Sequence, residues 1–215
     1  SRQVYVDGRL AEADNLNVEP SLQEITVSGK QVTLSTEKYF ILNKPAGVVS
    51  AVSDKEHQTV IDLIAESDRV PKLYPVGRLD RDTEGFLLIT NNGPLGYRML
   101  HPKYHVTKTY YVEVNGRLAD DAPAFFENGV TFDDGTVCKP AKLEIIESSS
   151  EKSSAYITIA EGKFHQVKKM FLAYGVKVTY LKRMTFGEFE LGDLPTGNYR
   201  ELTINEKEIL KNYLD

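Results

Sequence analysis

The chain has 215 residues, 41% of them hydrophobic, which is enough for a sizeable core in one or two domains. Its apolar runs are too short to cross a bilayer, and its amino terminus, SRQVYVDGRLAEADN, lacks the apolar core of a signal peptide. A single cysteine, Cys138, excludes an internal disulfide framework and a multi-cysteine zinc site, so a soluble, cytoplasmic protein is expected.

Residues 3–34 read as short strands with turns: VYVDG, then LQEITVSGKQVTL, where SGK marks a hairpin. From about residue 37 the pattern is mixed. YFILNK reads as a strand, and TVIDLIAES (59–67) has helical spacing. GFLLIT is a buried strand, and PLGYRMLH is a short helix behind the NNG turn. KTYYVEVNG alternates as a strand, with Tyr110 and Tyr111 on opposite faces, and DDAPAFFENG is a helix with a glycine stop. VTFDDGTVCKPAKLEII suggests a hairpin through DDG, and SSAYITIAEG is another strand. FHQVKKMFLAYG places apolar residues at 164, 167, 170, 171 and 174, an amphipathic helix capped by Gly175. KVTYLKRMTFGEFEL returns to strands, and INEKEILKNYL closes the chain as a helix. Mixed order without strict alternation points to an α+β fold with a largely antiparallel sheet.

Net charge is −5 and the pI is near 5.5, which argues weakly against a nucleic-acid partner. The distribution argues the other way. Residues 69–112 carry seven Lys/Arg against three acids, and residues 161–183 carry six against one. Two basic segments in an acidic chain suggest one face built for a polyanion, with an ordinary solvated surface as the competing explanation.

The densest charge cluster is GRLDRDTEG, 77–85. Asp80, Asp82 and Glu84 resemble the start of a calcium loop, but its twelfth position is Asn91 rather than a bidentate Glu, and a strand follows. A solvated charged turn and a carboxylate pair for acid–base work both stay open on spacing alone.

The surrounding motifs say more. LNKPAGVVS (42–50), YPVGRLDRDTEGFLLITNNG (74–93), RMLHPKYHVTKTYYV (98–112) and EGKFHQVKKMF (161–171) resemble successive motifs of the RsuA-type pseudouridine synthases. LKRMTFG and LPTGNYREL resemble that family's tail, so the likeness covers nearly all of 36–215. It implies a pseudouridine synthase fold: a largely antiparallel mixed sheet flanked by helices, with the active-site cleft across the sheet. The implied activity is isomerisation of a uridine in bacterial ribosomal RNA, without metal or organic cofactor. The alternatives within this likeness are a large-subunit 23S enzyme and a non-catalytic RNA-binding or assembly factor.

The same resemblance assigns residues. Asp80 takes the catalytic position, as a nucleophile that attacks the ribose or as a base that promotes loss of a ribose proton. A carboxylate is ionised at neutral pH unless burial raises its pKa, so a cation beside it is required. Lys168, where many relatives carry Arg, is that cation. Tyr110 is the aromatic beside the aspartate, placed to stack on the extruded uracil. Flipping a base costs a few kcal/mol, and Arg78 is the side chain expected to intrude into the RNA. Lys44, Arg98, Lys103, Lys108, Lys163, His165, Lys169 and Arg183 are expected at phosphate or sugar, with Gln166 beside them. Arg81 is expected to order the loop with Asp82 and Glu84. The Phe-His-Gln form at 164–166 resembles the small-subunit (16S) enzymes. Residues 1–35 resemble only the strand half of an alpha-L-type RNA-binding module, whose helices are then missing by truncation or divergence, and 36–215 form the catalytic domain. A monomer is expected.

Overall fold

The computed structural model describes residues 3–32 and 35–214. A small antiparallel sheet comes first, from β1 (Val4–Val6), β2 (Arg9–Leu10), β3 (Ile25–Val27) and β4 (Lys30–Val32), in the order β2-β1-β3-β4. The SGK hairpin joins β3 to β4 as expected. The Thr-Leu that ends that expected strand run lies outside the described residues.

The main sheet uses β5 (Tyr39–Lys44), β6 (Tyr74–Val76), β7 (Glu84–Thr90), β8 (Lys108–Val114), β9 (Lys142–Ser148), β10 (Ser153–Ile159), β11 (Val178–Phe186), β12 (Phe189–Glu190) and β13 (Tyr199–Glu201). Its order is β13-β5-β7-β11-β8-β10-β9, with β6 paired to β7 and β12 to β11. Among its named strands every pairing is antiparallel except β7 with β11. The helices are α1 (Gly93–Leu100), α2 (Ala122–Glu127), α3 (Gln166–Tyr174) and α4 (Ile204–Leu210). The architecture is α+β. No helix among the described residues is long and apolar enough to cross a membrane.

Strands β5 and β7 are apolar almost throughout because both of their faces are covered. Ile41, Phe86 and Leu88 pack toward α1 and α4, while Phe40, Leu42, Leu87 and Ile89 pack against Val60 and Ile64. A third cluster sits over β8 and β10, where Val112, Val114, Ala155 and Ile157 meet Phe126 of α2 and Met170 and Phe171 of α3. The small sheet is tied to the main one: Asn92 donates to Glu19 at 3.0 Å, Ser21 bonds the Tyr39 hydroxyl, and Lys211 pairs with Asp7 at 3.1 Å.

Gly85 makes the parallel β7–β11 approach possible. Its φ is +109°, and a Cβ there would stand 2.2 Å from the Arg183 carbonyl oxygen and 2.6 Å from its amide nitrogen. Gly175 ends α3 with φ 114°, its amide reaching the carbonyls of Leu172 and Phe171.

Three sequence expectations are corrected. Residues 59–67 form a bridge at Thr59, turns, and the start of a short 3-10 helix (Glu66–Asp68), not an α-helix. There Thr59 and Asp62 exchange side-chain-to-amide bonds, and Arg69 caps the carbonyls of Ile64 and Asp62, so the local polar groups are satisfied without a helix. The DDG turn closes only an isolated bridge, Thr131 with Val137, because β9 pairs with β10 instead. Phe164 stands outside α3 and is 73% exposed rather than part of its apolar face.

Candidate active site

The loop from Gly77 to Thr83 joins β6 to β7 and is held from below. Leu79 is buried, and Ser50 both accepts from its amide at 3.1 Å and donates to its carbonyl at 3.0 Å. The Thr83 amide reaches the Asp80 carbonyl at 3.0 Å, and the Gly47 amide reaches the Arg81 carbonyl at 2.8 Å. Beneath them lies Lys44, whose ammonium donates to the carbonyls of Pro45, Arg81 and Thr83 at 3.0, 3.1 and 2.8 Å. Burial lowers its pKa to about 8, against the partial opposition of Asp82, Glu84 and Asp80. Held in this way, the loop projects the Asp80 side chain outward, 30% exposed.

Helix α3 and the turn before it meet that carboxylate from the other side. The Lys168 ammonium stands 3.0 Å from Asp80 Oδ2 and 2.7 Å from Asp82 Oδ1. His165 Nε2 is 3.3 Å from Asp80 Oδ1. Burial pulls the Lys168 pKa down, but the bonds to Asp82 and Asp80 more than offset it, and the net shift is upward. The bond from Lys168 holds Asp82 below the usual carboxylate range.

Asp80 opens into a cleft of about 750 Å³ running across the sheet. Tyr110 of β8 and Arg183 of β11 lie opposite each other in register and both line it. The Arg183 side chain is 2% exposed, with Nε donating to the Phe86 carbonyl at 2.8 Å and Nη2 buried without a partner. Lys108 also lines the cleft, 3.3 Å from the Val106 carbonyl and 3.4 Å from that of Glu161. Burial, then the charge of Arg183, brings its pKa to about 8. Both cations stand 5.4 Å from the Phe186 ring. Tyr111 faces the other side of the sheet, packed on Tyr156 and Tyr180.

The structure thus brings together Asp80, Tyr110, Lys168, His165, Lys108 and Arg183. Several expected RNA contacts sit elsewhere. Lys44 is fully buried and its donors are taken by carbonyls, which leaves nothing for a phosphate. Gln166 is buried and spans Lys163 and Glu161, bonding the turn internally. Lys163 pairs with Glu161 at 2.8 Å. Arg183 lies under the cleft rather than on the outer surface, and His165, though exposed, directs Nε2 to Asp80. Arg78 is exposed at the rim, Lys103 is exposed over Tyr104, Lys169 is half-buried over Phe164 and Phe132, and Arg98 is half-buried on α1. Arg81 does not tie to the acids around it: its guanidinium meets His57 at 2.6 Å, Asp82 goes to Lys168, and Glu84 accepts from Tyr180 at 2.5 Å. Ser50 was unassigned by sequence. Its position at the end of LNKPAGVVS was the available signal.

The Asp80 carboxylate thus meets the Lys168 ammonium and the His165 imidazole beside Tyr110 in an open cleft. Residues 38–173 match the family of RNA pseudouridylate synthases, and the chain belongs to that family. It is a pseudouridine synthase, an isomerase. It is 44% identical over 208 residues to the uncharacterized RNA pseudouridine synthase YtzG of Bacillus subtilis, covering 96% of this chain and 87% of that one. It is 36% identical to ribosomal small subunit pseudouridine synthase A of Yersinia pestis, covering 96% and 86%. It is also 36% identical to ribosomal large subunit pseudouridine synthase B of Bacillus subtilis, covering 99% and 87%. A crystal structure of a pseudouridylate synthase superposes with a TM-score of 0.73 at 34% identity, over 97% of this chain and 88% of that one.

Proposed function

We propose that this enzyme isomerises a uridine of bacterial ribosomal RNA, in the small-subunit 16S molecule, with Asp80 as the nucleophile. The bond from ribose C1′ to uracil N1 breaks, a bond from C1′ to C5 forms, and the C5 proton is given up while N1 gains one. Atoms and electrons balance within the substrate. The observation that carries this reading is the Asp80 carboxylate, held 3.0 Å from Lys168 and 3.3 Å from His165 at the edge of the cleft. The Lys168 ammonium favours the charged form of a carboxylate, which an attack at the ribose needs. Tyr110 offers its ring as the wall against which the extruded uracil lies, and exposed Arg78 fills the gap that the flipped nucleotide leaves. Lys103 and Lys169 hold the backbone by charge. Assignment to 16S RNA rests on the Phe164-His165-Gln166 turn, because the chain is 36% identical to a small-subunit and to a large-subunit enzyme alike. In this reading residues 1–35 are the strand half of an RNA-binding module, 36–215 are the catalytic domain, and the enzyme works in the cytoplasm.

The test is to incubate the protein with small- and large-subunit RNA transcripts and map pseudouridine by carbodiimide-dependent reverse-transcription stops. One new stop in the small-subunit RNA, lost with Asp80→Ala, is expected. Activity that survives Asp80→Ala rejects the nucleophile, and a stop confined to large-subunit RNA rejects the 16S assignment.

A further inference from the structure

Phe164 is the most exposed aromatic side chain near the cleft, at 73%. Single exposed apolar residues are common and need no explanation. This one differs in how it is held. Its ring stacks on that of His165, with centroids 3.7 Å apart and planes 23° apart, and the Lys169 ammonium lies 5.2 Å from its centroid.

The turn that carries it is pinned. The Lys163 amide donates to Gln166 Oε1 at 3.0 Å, Gln166 Nε2 donates to Glu161 Oε2 at 2.9 Å, and the Lys139 amide reaches the same carboxylate oxygen at 2.9 Å. His165 itself adopts a left-handed backbone, φ 51°, a conformation that costs a non-glycine residue about 1–2 kcal/mol. A rigid turn therefore holds an aromatic ring out into water, stacked on His165 and with the Lys169 ammonium 5.2 Å from its centroid. Ordering that ring in advance removes an entropy cost from whatever binds it.

Two features say what binds it. His165 lies between Phe164 and Asp80: its ring stacks on Phe164, and its Nε2 sits 3.3 Å from Asp80 Oδ1. The Lys169 ammonium at this lip suits a polyanionic chain. An aromatic ring next to a positive groove is the arrangement on which single-stranded bases stack without regard to sequence.

We propose that Phe164 is a stacking platform for the nucleobase adjoining the target uridine, so that base, Phe164 and His165 form a three-layer stack ending at Asp80. This rests on RNA being the substrate, as proposed above. Phe164 then governs capture of the neighbouring nucleotide, whereas Asp80 governs chemistry.

The probe is a single-stranded RNA nonamer with a central uridine and 2-aminopurine at either the 5′ or the 3′ neighbouring position. One of the two labelled RNAs is expected to lose fluorescence on binding wild-type protein or Phe164→Trp, and not on binding Phe164→Ala. Stacking on one base is commonly worth a factor of about ten in affinity. Phe164→Ala is therefore expected to weaken binding about tenfold for the intact RNA, and hardly at all when that neighbouring base is removed to leave an abasic site. Equal weakening for intact and abasic RNA, or no quenching at either position, overturns the platform. A shifted pH profile of isomerisation with unchanged RNA binding also overturns it, because Phe164 would then merely position His165. An RNA that shows the expected binding pattern but is never isomerised rejects the enzymatic reading on that RNA and leaves the platform standing.

Discussion

Gly85→Ala is the sharpest test of how the site is built. The added methyl would lie 2.2 Å from the Arg183 carbonyl oxygen, 2.6 Å from its nitrogen and 2.9 Å from its carbonyl carbon. These are backbone atoms of a central strand, so neither a rotamer change nor a flexible side chain can relieve the clash. The strands must part by about 1 Å or more, which is overpacking of the kind that costs about 1–3 kcal/mol. The φ of +109° adds a further penalty of about 1–3 kcal/mol for a residue with a Cβ. Together the loss is about 2–6 kcal/mol, or a fall in Tm of about 4–24 °C for a chain of this size. Urea unfolding followed by circular dichroism measures it, with Gly93→Ala as control. Nothing lies within 4 Å of a Cβ at Gly93, so that change is expected to be neutral or stabilising by up to about 1 kcal/mol. A Gly85→Ala loss below about 1 kcal/mol would mean that β7 and β11 do not approach as closely as described.

Lys44 gives a prediction with a definite sign in pH. Its folded pKa of about 8 lies below the ordinary 10.5, so between those values the unfolded chain binds more protons and stability rises with pH. The contribution is complete above 10.5 and is lost as pH falls through 8. Over that window the stability of wild type relative to Lys44→Met is expected to rise by about 3 kcal/mol, from 2.5 pKa units at about 1.36 kcal/mol each. A flat difference in urea titrations would place the ammonium in water, and a falling one would mean that the surrounding oxygens raise its pKa instead of burial lowering it. At the carboxylate, Lys168→Met is expected to lower kcat/KM by about 10²–10³-fold, the usual effect of deleting one preorganised charge partner. Asp82→Asn, at a side chain 74% exposed, is expected to cost less than about tenfold because the contact from Lys168 to Asp80 is untouched. Equal losses in the two variants would move the requirement to the pair of Lys168 with Asp82.

The strands and helices that carry the site were legible because their periodicity is strong and their ends are marked. β7 carries the apolar run FLLI, and α3 ends at Gly175, where a positive φ suits glycine. Residues 59–67 misled because helical spacing of apolar residues says nothing of a Thr–Asp pair that satisfies its own turn. Lys44 misled for a different reason. A cation in a motif has the same sign whether it meets phosphate or carbonyls, and here the deciding oxygens of Arg81 and Thr83 arrive from a loop far along the chain. His165 was readable as a cationic position but not as a neighbour of Asp80, because its direction depends on a left-handed backbone that no local pattern announces. Phe164 fitted the apolar period of α3, yet the helix begins after it and leaves the ring in water.

The main sheet has one thin line. β7 and β11 are registered only at Glu84 with Lys182 and at Gly85 with Arg183, whereas their outer partners are paired along most of their lengths. Asp80 enters the cleft from the β7 side of that line, and Lys168 and His165 enter from α3, which packs over β8 and β10. The bond from Lys168 to Asp80 is thus a clasp between two halves of the sheet, and the bonds of Tyr180 to Glu84 and Arg183 to Phe86 are further stitches across it. The carboxylate proposed to do the chemistry is also a fastening of the fold, so the side chain that faces the substrate helps to set the shape of the cleft that receives it.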